Sequence, residues 1–302
     1  MDSNNYGKVA VLMGGTSNER NISLESGTAV LAALHRKNII AEAIDPKNDD
    51  LNQLENFSRA FICLHGKDGE DGEIQSFLEG IDLPYTGSGI VSSNLGMDKF
   101  KSKKIWKTKN INTPNFIKVD KVDDFDIAAS LCGLPFFIKP ANSGSSIGIA
   151  KIDNNKDFIN AFEKAYRIDK IVIVESFISG REYTLPIINK KTYPIVEIRP
   201  KTDFYDYEAK YLRDDTEFIC PADIDLSDLE DINKLCMNAF EAIDCKGWGR
   251  VDFIIDKNKK IYIIEVNTVP GMTNHSLVPI SAGYAGVGFD DLVVMILETS
   301  NA

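Results

Sequence analysis

Residues 247–277 constrain the fold more than any other stretch of the chain. Two runs rich in isoleucine and valine, 251–255 and 261–266, flank the polar segment Asp256-Lys257-Asn258-Lys259-Lys260. β-Formers bounded by turn residues predict an antiparallel hairpin. With Asn258-Lys259 at the tip, Asp252 lies opposite Glu265 and Arg250 opposite Asn267. Side chains alternate with period two, so Arg250 shares a face with Asp252, and Glu265 with Asn267. A slip of one residue would set Asp252 against Val266 or Ile264, so the polar pattern favours this register. Two carboxylates and an amide then converge within about 5 Å. Facing carboxylates repel unless something positive sits between them. Oxygen donors of this kind suit Mg²⁺, which takes a few protein ligands and completes its shell with substrate phosphates. The same alternation also fits a half-exposed strand with scattered polar residues.

Charge narrows the partners. The net charge is −11, from 34 basic and 45 acidic residues. Such a chain is a poor binder of nucleic acid or anionic membrane. Its 302 residues suffice for two or three packed units. No apolar run approaches the roughly 18–20 residues that span a bilayer. The N-terminal Met-Asp-Ser-Asn-Asn-Tyr lacks the basic-then-apolar plan of a signal peptide. Five widely spaced cysteines without a C-x-x-C read as reduced thiols, and the expected location is the cytoplasm.

Taken in order, the chain opens on a buried-strand pattern at 8–13 that runs into Gly14-Gly15-Thr16-Ser17. Apolar residues at helical spacing follow, from Ile22 to Leu34. A strand, glycine turn and helix begin an open α/β sheet, with its crevice at the carboxyl end of the strand. The turn is not G-x-G-x-x-G, so a nicotinamide enzyme is not supported. Glu19 and Arg20 sit in this turn, where solvated loop charges are the more ordinary reading of the turn taken alone. A second strand at 60–64 ends in His65-Gly66-Lys67-Asp68-Gly69-Glu70-Asp71-Gly72. Three glycines among charges at a strand end describe a site loop. His65 is as readily structural as catalytic.

Near residue 97 the composition changes, which marks a domain boundary. Residues 98–109 carry six lysines on a predicted helix, most of them a solvated face. An apolar strand at 135–139 delivers Lys139 to the Gly/Ser loop 140–149, whose N–H groups and hydroxyls suit phosphate oxygens. It is not a Walker A loop. A helix is predicted over 157–166 and a strand over 171–175. Glu175 and Glu182, with Phe177 and Ile178 between them, form an extended segment suited to gripping a nucleoside. Residues 201–218 show neither helical nor strand periodicity and read as a lid. Helical spacing returns over 229–243.

Seven stretches, in order, resemble the D-alanine–D-alanine ligases of the ATP-grasp superfamily. They are Gly14-Gly15-Thr16-Ser17-Asn18-Glu19-Arg20; His65-Gly66 with Gly69-Glu70-Asp71-Gly72; Met97-Asp98-Lys99; Lys139-Pro140 with Gly144-Ser145-Ser146-Ile147-Gly148; Tyr205-Asp206-Tyr207-Glu208-Ala209-Lys210-Tyr211; Gly249-Arg250-Val251-Asp252; and Glu265-Val266-Asn267-Thr268 with Pro270-Gly271-Met272-Thr273 and His275-Ser276-Leu277. The chain departs from the pattern at Ala141-Asn142-Ser143, where relatives often carry an acid, and at Val269, where a serine is common.

The resemblance implies an α/β (α+β) ATP-grasp fold in three domains. These are an N-terminal Rossmann-like open sheet over 1–97 for the first D-alanine, a central unit over 98–183 with the phosphate loop, and a C-terminal unit over 184–302 with the lid and metal site. ATP would lie between the last two, clasped by two antiparallel sheets. Asp252, Glu265 and Asn267 match ligands of two Mg²⁺ ions, with Mn²⁺ as a substitute. Lys99, Lys139 and Lys210 match phosphate contacts, together with Ser146. Glu175, Phe177, Ile178 and Glu182 match contacts to the nucleoside.

The implied reaction joins two D-alanines through an acyl phosphate, for peptidoglycan precursor synthesis. Glu19 would hold the first ammonium, with Ser145 and Tyr211 hydrogen-bonded to it. Arg250 and the Gly271 N–H would stabilise the oxyanion. Ser276 and the Leu277 N–H would receive the second carboxylate, and His65 would line the substrate site. The family also suggests a homodimer. A ligase making D-alanyl-D-lactate, another ATP-grasp carboxylate–amine ligase and a non-catalytic nucleotide-binding protein are the alternatives. Tyr211 and the lid argue against the first, and the Glu19 motif against the second.

Overall fold

A computed structural model describes residues 6–201, 215–273 and 275–301. Three sheets divide the chain. The first is parallel, in the order β2-β1-β3, from β1 (Val9–Leu12), β2 (Ala41–Ile44) and β3 (Arg59–Ile62). Helix α1 (Arg20–Arg36) connects β1 to β2, and α2 (Glu73–Gly80) and α3 (Ile90–Met97) follow β3. Every β1 side chain is buried, as expected of a strand covered on both faces.

Helix α4 (Lys99–Thr108) leads into a four-stranded antiparallel sheet, in the order β4-β7-β5-β6. Its strands are β4 (Phe116–Val119), β5 (Phe136–Pro140), β6 (Ala150–Ile152) and β7 (Val172–Ser176), packed by α5 (Phe125–Cys132) and α6 (Asn155–Ile168). This unit has its own core, centred on Phe158, which meets Phe125, Phe136 and Phe162. Asn154 starts α6 by accepting the Asp157 N–H at 3.1 Å, a side-chain N-cap.

The third sheet is also antiparallel. It runs β11-β10-β8-β12-β13, with a short β9 (Lys191–Thr192) on β8. The strands are β8 (Gly180–Ile188), β10 (Val196–Arg199), β11 (Glu217–Ile219), β12 (Trp248–Asp256) and β13 (Ile261–Asn267). Helix α7 (Leu226–Ala242) covers one face. Two closing helices, α8 (Leu277–Tyr284) and α9 (Phe289–Glu298), return to the first unit, where Leu292, Val293, Ile296 and Leu297 join the core of α1 and β1. Among the described residues no single helix is long and apolar enough to cross a membrane. The five cysteines carry no disulfide, and burial raises their thiol pKa values, to about 11 for Cys132 and Cys220 and about 12 for Cys245.

The opening hairpin forms, with one refinement. Arg250 pairs with Asn267 and Asp252 with Glu265, as the sequence predicts. Beyond them the register shifts, because Phe253 faces Ile263 and Ile264 is an extra residue. The tip explains why. Lys259 N–H bonds Asp256 O at 3.0 Å and Lys259 takes φ +62, a three-residue loop instead of the expected Asn258-Lys259 pair. The bulge at Ile264 absorbs the odd residue, so Ile263 and Val266 both reach the core and Glu265 turns to the opposite face. Residues 217–218, expected to belong to the lid, are strand in β11. Lid residues 202–214 lie outside the described residues, Lys210 and Tyr211 among them.

Phe158→Ala should remove about 3–5 kcal/mol, because the cavity would open at the centre of a packed aromatic cluster. Urea unfolding followed by near-ultraviolet circular dichroism measures it; an unchanged midpoint would refute the central role of that ring.

Candidate active site

Glu19, the residue preceding α1, is brought to the site by the turn after β1. Arg20 fixes that turn: its guanidinium donates to Gly15 O at 2.7 Å and to both oxygens of Asp45, at 2.9 and 2.6 Å. The Arg20 bond pulls the Asp45 carboxyl down to about 2, against a smaller upward push from burial. From the central sheet, Ser145 Oγ donates to Glu19 Oε1. Ser145 and Ser146 adopt φ +54 and +57, a left-handed backbone uncommon for residues with a Cβ. Such strain persists only where surroundings hold it, here at the tip of the Gly/Ser loop. Gly66 also has positive φ (+68), and a Cβ there would run into Glu19 Oε2. The approach of two loops to one carboxylate excludes larger residues.

These groups line a cavity of about 650 Å³ between the three sheets, shared by Glu19, Lys99, Ser145, Arg250, Glu265 and Gly271. His65, Asn267, Ser276 and Leu277 also line it, as do Thr216 and Phe218 at the near end of the lid sequence. Lys99 begins α4 and ties the Gly/Ser loop to the hairpin. Its Nζ donates to Ser143 O at 2.9 Å and pairs with Glu265 Oε2 at 3.2 Å. Arg250 grips Asp252 through two bonds of 2.8 Å, and Asn267 Nδ2 donates to the same carboxylate at 2.9 Å. Thr184 Oγ1 donates to its other oxygen at 2.5 Å.

The positive charge that the facing carboxylates call for is supplied in this structure by the chain itself. Arg250 and Lys99 already neutralise Asp252 and Glu265. No group of three or more acidic, histidine or cysteine ligands occurs among the described residues. Even so, two carboxylates and an amide oxygen on facing strand positions fit a hard cation that takes its remaining ligands from phosphate.

Segment 269–272 is held from below. Val269 O can only accept, so His65 Nδ1–H donates to it at 2.9 Å. His65 Nε2 then accepts from Ser26 Oγ at 3.3 Å, and Ser26 in turn accepts the Met272 N–H at 3.0 Å. Both imidazole nitrogens are engaged by the protein. His65 supports the Gly271 loop, and a direct substrate bond would require breaking one of these contacts. Glu70 completes the cradle, accepting Gly66 N–H at 2.7 Å and Val269 N–H at 3.3 Å. The Val269 side chain enters the apolar core, only 3% exposed, which accounts for an apolar residue there. Asn142 is likewise explained, since its N–H and Nδ2 both donate to Asp169 at 2.8 Å. Ser276 stands at the N-cap of α8 and accepts the Thr273 N–H at 2.9 Å, while Leu277 opens a helix whose first N–H groups have no intrahelical acceptor.

The residues expected at a nucleoside, Glu175, Phe177, Ile178 and Glu182, do not line this cavity. Lys139 Nζ donates to Glu175 Oε1 at 2.9 Å, and Lys103 Nζ sits 2.7 Å from Oε2. Both oxygens of Glu175, expected at an adenine amine, are thus engaged by lysines. Burial raises the Glu175 pKa, but the two lysines outweigh it and the net shift is downward. Phe177 packs on Phe137 with ring centroids 5.8 Å apart, and Glu182 stands opposite Ile254 and Ile198 on β8. Sequence reasoning missed Lys103 and Glu70 as site residues. Lys103 had a signal: 99, 103 and 106 fall on one helical face, and that face is buried.

Three comparisons complete the picture. The family model described as D-ala D-ala ligase C-terminus matches residues 105–298, and the one described as D-ala D-ala ligase N-terminus matches 41–88. A protein of Acinetobacter baumannii (strain AYE) named D-alanine--D-alanine ligase is 46% identical over 97% of this chain and 96% of its own length. One of Nitrosomonas europaea with the same name is 46% identical over 99% of each. The solved D-alanine--D-alanine ligase of Bacillus anthracis complexed with ATP superposes with a TM-score of 0.85, at 32% identity over 98% of this chain and 97% of that one.

Burial, aided slightly by the Arg250 charge and opposed by the Val269 bond, lowers the His65 pKa from 6.5 to about 4. Between those values the unfolded chain binds a proton there that the folded one does not. The His65 contribution, on the order of 3 kcal/mol, is therefore present above pH 6.5 and lost as pH falls toward 4. Glu70 acts oppositely. Burial and the neighbouring Glu19 raise it from 4.5 to about 8, so its stabilisation is lost as pH rises through 8. In urea unfolding at pH 6.5 and 4.5, His65→Gln should lose less stability on acidification than wild type. Equal losses would contradict a neutral buried imidazole.

Proposed function

The chain belongs to the D-alanine–D-alanine ligase family, and we propose that it joins two molecules of D-alanine with cleavage of ATP to ADP and phosphate. The observation that carries this reading is the Ser145–Glu19 bond. It closes the first sheet onto the phosphate loop over one cavity that also holds Lys99, Arg250 and the Gly271 loop.

The first D-alanine places its ammonium on Glu19, which leaves its carboxylate facing the terminal phosphate of ATP. Lys99 and Lys139 balance the phosphate charge, with Ser146 and the Gly/Ser loop around it, because phosphoryl transfer is chiefly a matter of position and electrostatics. A carboxylate oxygen attacks the γ-phosphorus and ADP leaves, giving an acyl phosphate. The second D-alanine rests its carboxylate on Ser276 and the Leu277 N–H. Its free amine attacks the acyl carbon, the tetrahedral oxyanion forms beside Arg250 and the Gly271 N–H, and phosphate departs with the one oxygen it gained from the first carboxylate. Preorganised donors of this kind are worth several kcal/mol. Glu175, Phe177, Ile178 and Glu182 hold the nucleoside, and Lys210 and Tyr211 act from the lid.

Asp252, Glu265 and Asn267 would hold Mg²⁺, or Mn²⁺ in its place. Bound there, the metal supplies positive charge to the nucleotide phosphates. We divide the chain at residues 97 and 183 into a first-substrate unit, a phosphate-loop unit and a metal-and-lid unit. The reading places a homodimer in the cytoplasm, making dipeptide for peptidoglycan precursors.

Phosphate release should require ATP, Mg²⁺ and D-alanine together, and a panel of D-amino acids should show D-alanine as the best substrate. Glu265→Gln should lower release by about 100-fold or more with an unchanged circular dichroism spectrum, since a neutral amide cannot balance the charge that Lys99 and a cation bring. ATP binding without amino-acid-dependent release would instead select a non-catalytic nucleotide-binding protein.

A further inference from the structure

Lys103 is fully enclosed, yet it carries an ammonium. That group sits 2.7 Å from Glu175 Oε2 and donates to Thr113 Oγ1 at 2.9 Å. Thr113 passes the bond to Ile263 O of β13 at 2.8 Å, which fixes the ammonium between α4 and the hairpin. The other oxygen of Glu175 meets Lys139, at 2.9 Å. One carboxylate thus faces two cations in a place where an unpaired charge is costly. The two lysines are not equivalent. Lys103 has no route to any ligand, whereas Lys139 is the penultimate residue of β5, beside the start of the Gly/Ser loop.

We propose that Lys103 is a positioning residue that neutralises Glu175 from the protein side and so leaves the charge of Lys139 available to the phosphates of a nucleotide. Without Lys103, Glu175 would pair with Lys139 alone and cancel the cation that the phosphate loop needs. With it, Glu175 and Lys103 form a neutral buried pair, and the Lys139 ammonium is a held but uncompensated charge. Burial and the neighbouring Lys139 lower the Lys103 pKa, while Glu175 and Glu265 raise it; the result is about 8, which keeps it mostly charged at neutral pH. This inference rests on the reading of an ATP site given above and adds the residue that sets its charge.

The test is calorimetric titration of the full chain with ATP and Mg²⁺, together with steady-state kinetics. Lys103→Met keeps the length of the side chain and removes the charge. It should weaken ATP by about tenfold or more, raising KM for ATP while leaving KM for D-alanine within about twofold. The double variant K103M/E175Q removes both members of the neutral pair and keeps an acceptor oxygen at 175. Against E175Q alone, which registers whatever nucleoside contact Glu175 makes, it should bind ATP within about threefold, which a purely structural role of Lys103 would not allow. Wild-type affinity in K103M, or a double variant about tenfold weaker than E175Q, would overturn the proposal. If K103M does not fold, the double variant decides against E175Q: affinity within about threefold of E175Q supports the proposal, and a loss of about tenfold relative to E175Q overturns it. Absence of ATP binding by the wild type would overturn the functional reading and this inference with it.

Discussion

Three carboxylates of this site, Asp252, Glu265 and Glu175, are each matched by a cation from the chain itself, and the surrounding structure depends on that matching. Asp252 is gripped by Arg250, Glu265 by Lys99, and Glu175 by Lys103 and Lys139. Removing charges from water is expensive, and leaving one buried and unpaired costs about 3–5 kcal/mol. Each pair also spans elements. Lys99 joins α4 to β13, Lys103 joins α4 to β7, and the Glu19–Ser145 bond joins the first sheet to the phosphate loop. The charges that ligands must meet are therefore also the struts that hold the three sheets in register around the cavity.

The loop that carries Gly271 shows how an apolar core and a polar site are built from one segment. Val269 and Met272 point into the core of the first sheet, while their backbone groups are taken by His65, Glu70 and Ser26. The loop cannot drift without breaking packing and hydrogen bonds together. A histidine held neutral by burial suits this supporting place, because a charged imidazole would lose its acceptor nitrogen and with it the link to Ser26.

Much of this was legible in the sequence. The pairing of Asp252 with Glu265 followed from residue types alternating on two strands, because only one register keeps the polar side chains together. The parallel opening sheet followed from an unbroken apolar strand before a glycine turn. The bulge at Ile264 was not legible, since it answers to a left-handed Lys259 at the tip, and lysine carries no signal for that conformation. Lys103 was hidden among six lysines, of which only it and Lys99 are buried. Its distinction is the Glu175 that a strand some seventy residues later brings against it. Glu70 lay within a loop recognised as a site, but its pKa is raised by burial and then by a neighbour, Glu19, from another strand end. Such meetings are tertiary, and no local pattern encodes them.

The central claim is that this cavity activates a carboxylate as an acyl phosphate and does not direct water at ATP. Incubation with ATP, Mg²⁺ and D-alanine labelled with ¹⁸O in both carboxylate oxygens tests it directly. Mass spectrometry should find one ¹⁸O in each phosphate released, because the oxygen that attacks phosphorus leaves with it when the second amine arrives. Phosphate carrying no label from the amino acid would contradict the account.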